Sequence, residues 1–157
     1  MVSSTLDIEI VKSYIEASSL ETKIYLGCDS ERVRSGEMDF IDYALAVVIH
    51  IDGRHGCKIF GEVQREVDFQ RRNDKPSMRL MGEVYRVADL YRKIVEVAGP
   101  RVIEVHLDIN PNESAGSNVV ISQAVGYIRG VCQTEPRVKP AAFAASCAAD
   151  RLKHVLA

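Results

Sequence analysis

IYLGCDSERV, residues 24–33, is an apolar run that meets a charge before any turn signal has relaxed the pattern. Ile24, Tyr25 and Leu26 read as a buried strand, and Asp29 stands at its inner end. A carboxylate in such a place is costly unless it is paired or coordinates a metal. Partners for Asp29 must therefore come from elsewhere in the chain.

Upstream, Ile8, Val11, Tyr14 and Ile15 recur at helical spacing within residues 5–19, with Ser4 or Thr5 as the expected cap. This short amphipathic helix leads into a strand at 23–29. Downstream, Ser35-Gly36 marks a turn, and FIDYALAVVIHID (40–52) reads as a long strand ending at the hairpin signal Asp52-Gly53. GCKIFGEVQREVDF (56–69) reads as a third strand, which makes an antiparallel meander. Pro76-Ser77 then opens a helix in which Leu80, Val84, Val87, Tyr91 and Ile94 recur at steps of three and four, and Gly99-Pro100 closes it. RVIEVHLDI (101–109) is a second apolar strand with an acid, Asp108, near its end. A helix over NVVISQAVGYIRG (118–130) follows, its Gly126 and Gly130 expected to permit close packing. A short strand in QTEPRVKP (133–140) and a closing helix over 141–157 complete the order. A meander followed by alternating helices and strands implies a mixed sheet covered by helices, because right-handed crossovers generate its parallel part.

The chain length, 157 residues, suggests one domain, with an N-terminal helix in 1–20 and the core in 21–157. Hydrophobic residues at 46% and charged residues at 27% suit a soluble globular protein. The net charge of −2 shows no global basic excess, although a local patch can suffice for nucleic acid. Cys28, Cys57, Cys132 and Cys147 are far apart and form no C-x-x-C pair, which argues against a zinc or redox motif. As buried or half-buried free thiols they fit a reducing compartment. The N-terminus carries Asp7, Glu9 and Glu16 where a signal peptide would be basic and then apolar. No stretch approaches the roughly 18 apolar residues of a membrane span. A cytoplasmic protein without a membrane partner is the expectation.

Asp29 and Asp108 each end an apolar strand. If those strands are neighbours, the two carboxylates come side by side, and two anions repel unless a cation bridges them. Mg²⁺ takes oxygen ligands of this kind. Glu83 lies three residues after Leu80 and four before Val87, beside the apolar stripe of its helix. Asp150 stands inside the otherwise apolar FAASCAADRL. Each acid has a simpler reading: a strand-end Asp as a turn residue, Glu83 as a partner of the helix dipole, Asp150 as a solvated partner of Arg151 or His154. The four together fit a metal-binding cluster better than chance placement. His106 shares a strand face with Asp108 and could assist proton transfer, but a satisfied core histidine is the preferred reading.

LGCDSERV (26–33), Glu83, VHLDIN (105–110) and EPRVKPAAFAASCAADR (135–151) together resemble the YkuK-type ribonuclease-H-like family, most specifically in HLDI and in KP…FAAS. The resemblance implies an α/β, ribonuclease H-like fold: a five-stranded mixed sheet of order 3-2-1-4-5 flanked by helices, with strands one and four adjacent. It also implies the acid set Asp29, Glu83, Asp108 and Asp150 around Mg²⁺ or Mn²⁺. The chemistry would be two-metal phosphodiester hydrolysis with ions about 3.5–4 Å apart. Asp29 would bridge the ions, Ser30 would support the site through its hydroxyl, and Lys139 would contact a phosphate. The loop QRRNDKPSMR (70–79) adds Arg71, Arg72, Lys75 and Arg79, residues able to neutralise phosphates without reading sequence.

The leading expectation is a metal-dependent nuclease acting on RNA/DNA hybrid or branched DNA. A homodimer would suit the junction case, because symmetric cuts need two sites. The alternative is a catalytically inactive ribonuclease-H-fold module that binds nucleic acid or protein, which the near-neutral charge favours. A small phosphatase ranks lowest, because neither a Gly-rich phosphate loop nor a Cys-x₅-Arg pattern is present.

Overall fold

The computed structural model describes residues 6–69, 76–110 and 115–149. The chain runs α1 (Ile8–Ala17), β1 (Lys23–Ser35), β2 (Met38–His50), a 3₁₀ turn, β3 (Cys57–Val67), α2 (Pro76–Ala98), β4 (Val102–Leu107), α3 (Ala115–Cys132) and a π-helical segment, Ala144–Ala149. The strands form one sheet of order β3-β2-β1-β4. β1 is antiparallel to β2 and parallel to β4. This is the mixed α/β arrangement that the meander and the crossovers imply.

The fifth strand is not formed among the described residues. The segment expected to supply it makes an isolated parallel bridge, His106 to Arg137. Arg137 N–H donates to Val105 O at 2.8 Å, and Leu107 N–H donates to Arg137 O at 2.8 Å. The ladder does not lengthen, because Leu107 O accepts from Ile109 N–H at 2.8 Å and the next donor, Lys139 N–H, goes to Ile109 O at 3.0 Å.

The two faces of the sheet are covered differently. Ile24, Leu26 and Cys28 of β1 join Tyr43, Leu45, Val47 and Ile49 of β2 in one core with α1, α2 and α3. On the other face Tyr25, Val48, Ala44 and Ala46 meet the alanines of the π-helical segment. Small side chains let that segment lie close on the strands. β1 and β2 are central and covered on both sides, which explains their near-continuous apolar runs.

Several expectations change. Asp7, rather than Ser4 or Thr5, caps α1: its carboxylate accepts from the N–H groups of Glu9 at 3.0 Å and Ile10 at 3.3 Å. A Cβ at Gly126 or Gly130 would meet nothing within 4 Å among the described residues, so these glycines do not serve close packing. Cys28 and Cys132 are buried free thiols, but Cys57 is exposed. No helix among the described residues is long and apolar enough to cross a membrane.

Candidate active site

β1 outruns β4. The parallel ladder ends at Cys28 opposite Leu107, whereas β1 continues to Ser35 against β2. Asp29 is therefore a mid-strand residue, paired with Ala44 of β2, at the point where β1 loses its β4 neighbour. Register also places Tyr25 beside Glu104 and Gly27 beside His106. Side chains alternate along strands, so Asp29 takes the face of Gly27, while Asp108 follows the last residue of β4 in a turn closed by Ile109 N–H on Leu107 O at 2.8 Å. The strands that carry the two acids are neighbours, with Asp29 inside β1 and Asp108 just past the end of β4.

Glu83 reaches the same place from the opposite face, on α2. Gly82 makes this approach feasible: a Cβ there would collide with the hydroxyl of Tyr43. Arg86 locks the helix further, with its guanidinium 3.7 Å over the Tyr43 ring and an ion pair to Glu66 at 2.7 Å. Thus placed, the buried Glu83 accepts a hydrogen bond from Ser30 Oγ at 2.6 Å. Burial, reinforced by the charges of Asp29 and Asp108, pushes the Glu83 carboxyl up to about 8, while Ser30 and Arg79 pull the other way. With these side chains alone, Glu83 keeps its proton at neutral pH.

Asp108 meets a cation from the chain itself. Lys139 N–H donates to Ile109 O at 3.0 Å, and its Nζ stands 3.0 Å from Asp108 Oδ1. Lys139, expected as a phosphate contact, is in this structure the ion-pair partner of an acid. Asp150, Arg71, Arg72 and Lys75 lie outside the described residues. The described chain reaches Ala149, which packs against Ala44, the register partner of Asp29.

Two further features hold the π-helical segment on this face. A Cβ at Gly27 would collide with the backbone of Ala144 and Ala145, so only glycine permits the contact. His106, fully buried, accepts the Ala144 N–H on Nδ1 at 3.2 Å. Its Nε2 therefore carries the proton and donates to Glu104 at 3.0 Å. Burial lowers the pKa of this ring. His106 is a satisfied core histidine, as preferred, and orients the chain rather than moving a proton.

Sequence reading missed Gly27, Gly82 and Tyr43. The available signal was a glycine two residues before one acid and directly before another. It also missed Asp42, whose 0% exposure is matched by Arg65 through two bonds of 2.6 and 2.7 Å.

Residues 7–154 match the family model described as ribonuclease H-like. The chain belongs to this ribonuclease H-like family. No curated protein and no solved structure matches it. Family membership supports a nuclease-type or nucleic-acid-binding fold, and the reaction has to be argued from the acids.

In this ribonuclease H-like chain the donor set suits a hard divalent cation. It consists of carboxylates, one of them kept neutral by burial and, to a lesser degree, by its two charged neighbours, and a cation would relieve that repulsion. The three acids share a field without forming a ready cage: no group of three His, Cys, Asp or Glu among the described residues is placed to hold an ion. The approach of Glu83 from the far face accounts for this.

Proposed function

We propose that the protein is a metal-dependent nuclease that hydrolyses phosphodiester bonds in RNA/DNA hybrid or structured nucleic acid. One observation carries this reading: the charges of Asp29 and Asp108, near the step where β1 runs past β4, add to burial in holding Glu83 protonated. Carboxyls shifted this far by burial together with specific charged neighbours cluster at functional sites. Asp29, Glu83 and Asp108, with Asp150 as the fourth acid, would hold Mg²⁺ or Mn²⁺. When bound, such ions supply an activated water and charge stabilisation of the leaving oxygen. The protein's own residues do the positioning. Ser30 orients Glu83, and Gly82 and Gly27 let α2 and the π-helical segment close on the acids from opposite faces. Lys139 neutralises Asp108 and would turn to a substrate phosphate as the acids take up metal.

That same ion pair favours a second reading, a non-catalytic binding module in which Lys139 is the permanent partner of Asp108. Calorimetric titration of Mn²⁺ into the wild type and Asp29→Asn separates the two. The nuclease reading expects binding that Asp29→Asn weakens at least tenfold, and Mn²⁺-dependent cleavage of a labelled hybrid that the same change abolishes. Absence of Mn²⁺ binding by the wild type would overturn it and leave the module.

A further inference from the structure

Near Ser30 and Glu83, on the α2 side of the sheet, lies an open cleft of about 210 Å³ lined by Arg32, Tyr43, Asp68, Phe69, Met78 and Arg79. It is smaller than the roughly 300–1,000 Å³ of sites for drug-sized ligands, which suits a single ring system. Two lines of chain tie it to the site. Arg32 follows Ser30 by two residues on the same strand face, about 7 Å along β1. Arg79 precedes Glu83 by one helical turn, about 6 Å along α2, and its charge acts on that carboxyl.

The lining is unusual in what it leaves uncovered. Phe69 is 88% exposed and Met78 56% exposed, although both flank the same opening. Neither contributes its burial to the core. Most charges there are matched: Arg32 Nε stands 3.1 Å from Asp68, and Glu66 is paired with Arg86. Arg79 makes no hydrogen bond or ion pair among the described residues. The cleft therefore offers an apolar, partly aromatic platform and one guanidinium without an ion pair among the described residues, both within a turn or two of Ser30 and Glu83. A flat ring attached to an anion satisfies both. Bases stack on exposed aromatic side chains irrespective of sequence, and guanidinium groups bind phosphate with matched geometry.

We propose that this cleft takes one unpaired nucleobase of a nucleic-acid strand, with Phe69 and Met78 against the ring and Arg79 on the adjoining phosphate. The proposal rests on the nuclease reading for its position relative to the cut. It narrows the substrate to a strand with an unpaired nucleotide one or two steps from the scissile phosphate, given a duplex rise of about 3.4 Å per nucleotide. A continuous duplex keeps its bases stacked and offers the cleft nothing.

The test is fluorescence anisotropy with a short labelled single-stranded oligonucleotide in EDTA, compared with a blunt duplex of the same sequence. Phe69→Ala and Arg79→Gln should each weaken single-strand binding about tenfold, and Phe69→Tyr should restore it. Because Phe69 is so exposed, its thermal midpoint should stay within a degree or two of the wild type, which separates lost binding from lost folding. Equal affinity of wild type, Phe69→Ala and Arg79→Gln, or tighter binding of the duplex, would overturn the cleft. Wild-type cleavage alongside that result would leave the nuclease reading standing. Conversely, Phe69-dependent binding without any Mn²⁺ uptake would uphold the cleft and overturn the nuclease.

Discussion

Replacing Glu83 by Gln should stabilise the protein at neutral and alkaline pH, in the absence of divalent metal, while destroying its candidate site. Gln is neutral, similar in shape, and keeps an amide oxygen that can accept from Ser30 Oγ. The carboxyl it replaces has an ordinary value of 4.5 and stands at about 8 in the folded chain. Below pH 4.5 both folded and unfolded states hold the proton, and the stability tied to this group is fully present. Between about 4.5 and 8 the unfolded chain releases the proton while the folded chain retains it, so stability falls as pH rises. Above about 8 the loss is complete. At about 1.4 kcal/mol per unit, the loss is about 3 kcal/mol by pH 7 and of order 5 kcal/mol by pH 9. Urea denaturation followed by circular dichroism at pH 5, 7 and 9, in EDTA, measures this directly. The wild-type and Glu83→Gln stabilities should diverge with rising pH, the variant lying above by those amounts, because other titrating groups contribute equally to both. Parallel curves would refute the reasoning: Glu83 would then ionise normally, and the coupling to Asp29 and Asp108 on which the site rests would be absent.

Gly27→Ala should destabilise the fold by about 2–3 kcal/mol, because the backbone of Ala144 and Ala145 cannot yield as a side-chain tip could; thermal denaturation reads the loss, and limited proteolysis should show earlier cutting C-terminal to residue 140. Arg65→Met should cost about 2–3 kcal/mol by leaving the fully buried Asp42 without its two donors. The double change Arg65→Met with Asp42→Leu should recover most of that loss in the same urea titration.

Much of this fold is legible in local pattern. Pro76 opens α2 and Ala98 closes it one residue before Gly99, as the breakers indicate. Alternation along IYLGCDS and VIEVHL was enough to put Asp29 on the face of Tyr25 and Gly27, and His106 on the matching face of β4. The length of β1 was not legible, because ERVRS looks like solvated loop. It is strand because it forms one arm of a hairpin with MDFID, where charged side chains stay exposed and can pair across the strands, as Arg34 does with Asp39 at 3.8 Å.

Periodicity and strand alternation are short-range properties, written into side-chain types a few residues apart, and the sequence by itself determined them: the mixed α/β order, the face of Asp29 on β1, and a glutamate beside the stripe of α2. Tertiary packing decided everything that depended on which distant surfaces touch. It brought Glu83 to Ser30 on the α2 side of the sheet, through the space that Gly82 leaves against Tyr43. It gave Lys139 to Asp108, and it laid the alanine-rich segment on Gly27. It also reduced the expected fifth strand to a bridge between two prolines. A residue's charge state and partner are set by how closely backbones can approach, and no spacing along the chain records that distance.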